Sequence, residues 1–585
     1  MTSITPSFEG SNMLFKFSAF VLALGVSLPA WAQVREGKSP RLIVLIMVDQ
    51  MRADLLGRFA SAMRASNSGR EEGLLQLQTT GSVFLQARTA SAPSVTAAGH
   101  ATLCTGTTPA RHGVVGNSLY DRESKRNVEA TFDPQARLVS TKQLLASDPL
   151  SNSPDEGKSA RLRKTGSLSD VMHSLSGGGA RTLSISLKDR GAIFCAGAGS
   201  SGTYWYEAKS GSMVSSTAFT PALPAWVDAF NLKSSQRAPQ PWRPLFSIAQ
   251  MQAYLVDPAL RSALTVRSSF SQRFGAGFPY EMAASKGIGG RSFFELTPAA
   301  NDFLVDFAIE GVRQERLGCA SRSPVKTCRR GTFPDLLTVS FSTPDLVGHS
   351  FGGESPELMD VYVKLNKSVA RLMRELDVRF GRQSVLYVVS SDHGVQTLPE
   401  VLRSRGVELG KLDKDEIMAA AESALRARFG EGQWIEAIST SEVYLRASTL
   451  EKFRVSRGDV ASVLSNALTK IGGVRGVLSE ADFTNAKTPE AGLFARGHDP
   501  QRSGDLKILT HAGWLWGSYV AANHGTAFDE DTRIPIIFSG WKIPRGKTIN
   551  KDVFADDVVP TLLGILGHAA PTWMTGRSLE PEMML

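Results

Sequence analysis

Four cysteines in 585 residues, with no C-x-x-C among them, leave little sulfur chemistry. A thiol redox pair and a thiolate zinc site are both excluded. There is no lysine- or arginine-rich block either, and the net charge of +9 is spread thinly. Such a field favours anionic substrates but does not indicate a dedicated nucleic-acid partner. No internal repeat or low-complexity tract is present, and 42% hydrophobic with 21% charged residues is an ordinary globular composition. Beyond the N-terminus, no stretch is long and apolar enough to cross a bilayer.

What is present begins with an address. Lys16 precedes F-S-A-F-V-L-A-L-G-V-S-L-P-A, and Ala30-Trp31-Ala32 forms an A-x-A-type cleavage site before Gln33. Residues 1–32 read as a secretory signal peptide, with Met13 as an alternative start to Met1 and an uncleaved anchor as the competing reading. The mature chain, 33–585, is expected to be periplasmic or secreted, without a membrane partner. In that oxidising setting Cys319 and Cys328, flanking a short polar loop, favour a local disulfide. Cys104 and Cys195 are left open as a second pair.

A chain of this length needs one elaborated domain or two to three domains. Apolar runs recur at 41–48, 181–187, 335–342, 384–391, 506–510 and 534–539, rich in Val, Ile and Leu with little alternation. Strands buried on both faces look like this. Helical stretches at 299–313, 355–376 and 413–429 lie between them. The expected fold is α/β, a mostly parallel central sheet covered by helices on both faces. Two regions break the rhythm, at about 196–296 and 400–500. They read as insertions that cap the site, or as structural decoration.

The chemistry-bearing residues end strand-like runs. Asp49 closes R-L-I-V-L-I-M-V-D, Asp345 and His349 follow L-L-T-V-S-F, Asp392 and His393 close S-V-L-Y-V-V-S-S, and His524 lies in A-N-H-G-T. Ligands collect beyond the carboxyl ends of parallel strands. Carboxylates and imidazoles without thiolates suit two divalent metals, zinc or a harder ion, and hydrolysis at phosphorus or a related centre. Asp345 and His349, four apart, meet on one face if the segment is helical. A second stretch, S-A-P-S-V-T-A-A-G-H-A-T-L-C, is dense in hydroxyls and enters a helix around Thr96. Ser94 and Thr96 compete there as nucleophile, and a plain helix-capping hydroxyl is the blander fate. The arginine of a sulfatase-like C/S-x-P-S/A-x-R stretch is missing after Ser91-Ala92-Pro93-Ser94.

Together these segments resemble the alkaline phosphatase superfamily, and within it the phosphate-irrepressible (PafA-type) periplasmic alkaline phosphatases. The matching stretches are Thr96-Ala-Ala-Gly-His100, T-G-T-T-P-A-R-H-G-V-V-G-Asn117, S-L-Lys188-D-Arg190-G, T-P-Asp345-L-V-G-His349, S-Asp392-His393-G and N-His524-G-T. The resemblance implies an alkaline phosphatase-like catalytic domain over 33–585 and makes Thr96 the nucleophile. One zinc would be held by Asp345, His349 and His524. The other would be held by Asp49, Asp392, His393 and the Thr96 oxygen. Asn117, Lys188 and Arg190 would contact the non-bridging phosphoryl oxygens, while His100 would support the helix.

Lys188 and Arg190, two apart on an extended segment, would point to the same side. A phosphate monoester carries negative charge that a diester lacks, so this pair favours small-molecule phosphate monoesters as substrates. The implied reaction is a two-step displacement through phosphothreonine, with activity rising into alkaline pH. A monomer or weak oligomer is expected. The rival is a nucleotide pyrophosphatase/phosphodiesterase with the same ligands and threonine. A non-catalytic phosphate-binding protein and a metal-dependent mutase are readings of other classes.

Overall fold

The structure is a computed structural model that describes residues 39–142, 157–236, 240–255, 277–281, 293–320, 328–329, 331–381, 383–516 and 522–584. The expected leader at 1–32 lies outside the described residues, as does much of the 196–296 region. Residues Ser39–Leu585 pack as one unit.

The Val/Ile/Leu-rich runs become the centre of a ten-stranded sheet. Its strands are β1 (Leu42–Val48), β2 (Ser82–Arg88), β5 (Leu138–Val139), β6 (Thr182–Ser186), β7 (Ser200–Glu207), β8 (Ser212–Ser216), β9 (Asp335–Phe341), β10 (Val385–Ser390), β17 (Ile536–Gly540) and β18 (Lys547–Phe554). They lie in the order β18-β2-β17-β10-β1-β9-β6-β7-β8-β5. The middle five, β10 to β7, are parallel, whereas β17 and β8 run antiparallel to their neighbours.

All seven residues of β1 are buried, and alternate side chains serve different layers. Leu42, Val44 and Ile46 pack with Phe303, Phe307 and Leu365 of the helices Pro298–Gln314 and Pro356–Phe380. Ile43, Leu45 and Met47 pack with Leu103, Val558 and Leu562 on the other face. Burying each such side chain contributes roughly 1.5–3 kcal/mol, which explains why polar alternation is absent from this strand. The long helix starts at Pro356 with the Ser355 hydroxyl accepting from the Leu358 N–H at 3.1 Å, and ends at Gly381 with φ +84°.

Two expectations change. The run at 506–510 is not in the main sheet. As β15 (Leu506–Thr510) it joins β12 (Ile435–Ser439), β13 (Glu442–Leu445) and β14 (Val474–Ser479) in a separate antiparallel sheet. A five-residue apolar run does not say which sheet buries it. The helices Lys414–Phe429 and Arg457–Leu468 cover that sheet, so the 400–500 insertion has its own core around Trp434, Ile438, Val460 and Leu464. We call it the cap lobe.

The insertion at 196–296 begins with β7 and β8, which extend the main sheet rather than cap it. Their Thr, Tyr and Trp content is strand chemistry that lacks the aliphatic signature of β1. Two small pairs complete the strands: the hairpin β3 (Ser118–Asp121) with β4 (Arg126–Glu129), and β11 (Gly410–Leu412) with β16 (Trp514–Trp516). The disulfides are Cys104–Cys195 and Cys319–Cys328.

Candidate active site

Because β6, β9, β1 and β10 are parallel neighbours, their carboxyl ends share one edge. Lys188, Asp345, Asp49 and Asp392 follow those strands in that order across the sheet. Asp345 and His349 lie on the helix Thr343–Phe351, one turn apart, with His349 Nε2 3.3 Å from Asp345 Oδ1. His524 Nε2 reaches the same oxygen at 3.6 Å and His393 Nε2 at 3.9 Å.

The other nitrogen of each imidazole faces a backbone carbonyl. His349 Nδ1 is 2.8 Å from Ala522 O, His393 Nδ1 2.9 Å from Gly394 O, and His524 Nδ1 2.8 Å from Ser94 O. A carbonyl only accepts, so each Nδ1 carries the proton and each Nε2 lone pair is turned into the site. That is the tautomer a metal ligand needs. Burial, with His393 and His349 alongside, pushes His524 well below the ordinary histidine range and keeps it neutral.

The carboxylates fit the same purpose. Burial alone would raise Asp345, but the Lys188 ammonium and His349 hold it well below the usual range. Asp392 is likewise held low, against burial, by His393 and His100. Asp49 Oδ2 and Asp392 Oδ2 are buried without a hydrogen bond. Orphaned buried anionic oxygens are costly unless a cation completes them.

Among the described residues, two groups have all their ligand atoms within 4.8 Å of one another: Asp345 with His349 and His524, and Asp49 with Asp392 and His100. The second group differs from the expected Asp49–Asp392–His393 set. His393 stands between the two, 3.2 Å from Asp392 Oδ2. His100 is close to both carboxylates, yet its nitrogens are engaged elsewhere. Nδ1 meets Thr96 O at 2.9 Å, and Nε2 meets Ser340 Oγ at 2.9 Å while Ser340 donates to Asp49 at 2.8 Å. Both ring nitrogens are therefore donors. Against burial, Asp49 and Asp392 raise His100 to about 10. With no lone pair to offer, His100 clamps the helix to the carboxylates.

Thr96 is the first residue of the helix Thr96–Thr105 and its hydroxyl does not cap that helix. It lies 3.3 Å from His393 Nε2, inside the ligand set. Ser94, its competitor, donates instead to Thr526 O at 2.9 Å. Gly99 is what lets this helix approach, because a Cβ there would meet Asp392 O at 2.3 Å. Asn117 Oδ1 accepts from the Ala97 N–H at 2.8 Å, which orients the side chain so that its NH2 group is left to donate.

Lys188 and Arg190 have different partners. Lys188 is extended, but Asp189–Ile193 is a helix, so the pair does not form the single extended segment that the spacing suggested. Lys188 Nζ pairs with Asp345 and lies 3.6 Å from Asp49. The Arg190 guanidinium instead faces Asp189, 3.7 Å away, and its Nε is buried without a hydrogen bond.

Gln50 escaped the sequence reading. It sits at φ +66°, donates its backbone N–H to Asp392 Oδ1 at 3.1 Å and its Nε2 to Asp345 Oδ1 at 2.9 Å. Its only signal is adjacency to Asp49 at a strand end. Ser340 was equally silent, as one serine within a buried strand.

Residues 43–526 match the family of type I phosphodiesterases and nucleotide pyrophosphatases. The chain is 27% identical over 545 residues to alkaline phosphatase PafA of Elizabethkingia meningoseptica, covering 92% of this chain and 94% of that protein. It is 28% identical over 555 residues to alkaline phosphatase PhoV of Synechococcus elongatus, covering 92% of each. The crystal structure of wild-type PafA superposes with a TM-score of 0.79 at 27% identity, over 93% of this chain and 99% of that one. Its fold is thus alkaline phosphatase-like. The chain belongs to the type I phosphodiesterase/nucleotide pyrophosphatase family, an enzyme family of the alkaline phosphatase superfamily.

Proposed function

We propose that this chain is an exported alkaline phosphatase that hydrolyses small-molecule phosphate monoesters through a phosphothreonine on Thr96. The observation that carries the choice of monoester is the position of Lys188, whose ammonium pairs with Asp345 and approaches Asp49 at 3.6 Å. A monoester brings an extra negative charge into the site, and a buried cation there is matched to it. The names of the PafA and PhoV relatives support the same reading.

The donor set fits two divalent metals, with zinc the ion that oxygen and imidazole ligands without thiolates favour. Asp345, His349 and His524 would hold one. Asp49, Asp392 and His393 would hold the other, with the Thr96 hydroxyl beside them. When bound, the metals neutralise phosphoryl charge and acidify oxygens attached to them.

The chain's own residues do the rest. Thr96 Oγ gives up its proton to solvent and attacks phosphorus in line, and the P–O bond to the alcohol breaks as the Oγ–P bond forms. The alcohol leaves with a proton from solvent. Asn117 donates its NH2 group to a non-bridging oxygen, Lys188 supplies a point charge, and Arg190, beside Asp189, supplies a further donor to the non-bridging oxygens. Water then cleaves the Oγ–P bond, releasing inorganic phosphate and restoring Thr96. His100 and Gln50 keep the helix and the carboxylates in register throughout.

The test is turnover of p-nitrophenyl phosphate against bis-p-nitrophenyl phosphate, with and without chelator, with metal analysis of the same sample. Chelator-sensitive turnover with the monoester strongly preferred is expected. A diester preference would move the reading to a nucleotide pyrophosphatase/phosphodiesterase. Metal-replete protein with no turnover of either would make it a binding protein.

A further inference from the structure

The Arg190 guanidinium carries a buried donor that the fold leaves unused. Its Nε is buried without a hydrogen bond, and its NH1 stands 3.7 Å from Asp189 Oδ1, beyond hydrogen-bond reach. An unpaired donor of this kind is costly unless a ligand completes it. Asp189 is the obvious partner, yet its oxygens are taken. Oδ1 accepts the Arg190 backbone N–H at 2.7 Å. Oδ2 accepts from Thr131 Oγ1 at 2.7 Å and pairs with Lys158 Nζ at 3.2 Å. Against the loss of hydration, Lys158 and Arg190 hold the Asp189 carboxyl below the usual carboxylate range, so it stays ionised.

Lys158 is fixed in that place by its surroundings. The backbone on either side of it is tied to the turn after the hairpin, with the Asp133 N–H donating to Gly157 O at 2.7 Å and the Ser159 N–H to Thr131 O at 2.8 Å. That turn reaches Asn117 as well, because the Ala130 N–H donates to Asn117 O at 2.9 Å. The Lys158 ammonium also pairs with Glu129 at the end of β4, but the Glu129 side chain is 68% exposed and this pair is weak. The pair with Asp189 is the sheltered one, at side-chain exposures of 19% and 14%.

A carboxylate this near a guanidinium ordinarily forms the two-pronged pair that arginine favours. Such a pair needs both Asp189 oxygens, and Lys158 and Thr131 engage one of them. We infer that Lys158 is a positioning residue that holds Asp189 off the Arg190 guanidinium, leaving the arginine's donors to the phosphoryl group and raising selectivity for phosphate monoesters. This role rests on the monoesterase reading, in which Arg190 contacts the non-bridging oxygens. Lys158 acts through Asp189 and is not itself a phosphoryl ligand.

Lys158→Met removes the ammonium and keeps the reach of the side chain. In the metal-loaded full chain it should lower kcat/KM for p-nitrophenyl phosphate about fivefold and weaken inhibition by inorganic phosphate equally. Turnover of bis-p-nitrophenyl phosphate should fall by about twofold at most, because a diester lacks the charge that Arg190 meets. Lys158→Gln gives the same comparison if the methionine variant does not fold. Lys158→Arg, which keeps a cation at Asp189, should stay near wild type, and a loss equal to that of Lys158→Met overturns the inference.

The deciding measurements use two further backgrounds. With Arg190→Ala or Asp189→Asn already present, Lys158→Met should add no further loss, since either the guanidinium or the carboxylate that would capture it is gone. The full loss persisting in either background would make Lys158 a structural prop and overturn the inference, as would wild-type phosphate inhibition in Lys158→Met. Equilibrium binding of inorganic phosphate to the metal-loaded chain keeps the two readings apart. Were the wild type to turn over no monoester while Lys158→Met still weakened phosphate binding, and only with Arg190 present, the monoesterase reading would fail and the role of Lys158 would stand.

Discussion

The catalytic edge and the cap lobe place their residues by different means. At the edge, Asp392, Asp49, Asp345 and Lys188 come together because parallel strands β10, β1, β9 and β6 end side by side. No local contact is needed beyond strand register. The cap is built from antiparallel neighbours around its own core, and it meets the edge through specific side chains. Tyr444 of the cap packs on Tyr120 at 5.2 Å, and Asp505 pairs with Arg122 at 3.0 Å. Tyr120 and Arg122 follow closely on Asn117. The sheet therefore places Asp392, Asp49, Asp345 and Lys188, while the cap lobe grips the segment that carries Asn117.

That difference can be broken at the edge first. Thr96→Ala should lower kcat at least about a thousandfold, roughly 4 kcal/mol, with metal content preserved. Near-normal turnover would shift attack to Ser94 or to water. Lys188→Ala should cost about a hundredfold in monoester kcat/KM and Arg190→Ala only about tenfold, because only Lys188 reaches the carboxylates. Diester turnover should fall less in both. Equal losses on monoester and diester would make the pair structural.

Smaller effects probe the cap. Arg122→Ala, which releases Asp505 from the hairpin, should reduce kcat by about threefold through Asn117 and leave metal content unchanged. Measured kcat equal to the wild type would show that Asn117 is held without the cap. Leu464→Ala, in the cap core, should cost about 2–5 kcal/mol of stability in denaturant melts with the least effect on metal binding. Loss of metal in that variant would mean the two regions do not fold separately.

The same contrast explains how much was legible in the sequence. The aliphatic runs of β1, β9 and β10 announced strands buried on both faces, and the acids and histidines just past them marked the site edge. Thr96 and its helix were also legible, although only the structure turns Ser94 away toward Thr526. What escaped depends on placement across the chain. Leu506–Thr510 looks like another buried strand until its partners are known. Gln50 and Ser340 are ordinary polar residues whose importance comes from carboxylates hundreds of positions away. Lys188 and Arg190 were read as one extended segment, whereas the chain turns helical at Asp189, a local change that their spacing alone does not announce.

The account stands on Thr96 as the atom donor to phosphorus. Acid quenching during turnover of a monoester, followed by mass spectrometry of the peptide that contains residues 94 and 96, reads this directly. The account predicts a phosphoryl group on Thr96 in the wild type and none in Thr96→Ala. Phosphorylation at Ser94, or undiminished turnover by Thr96→Ala, would contradict it.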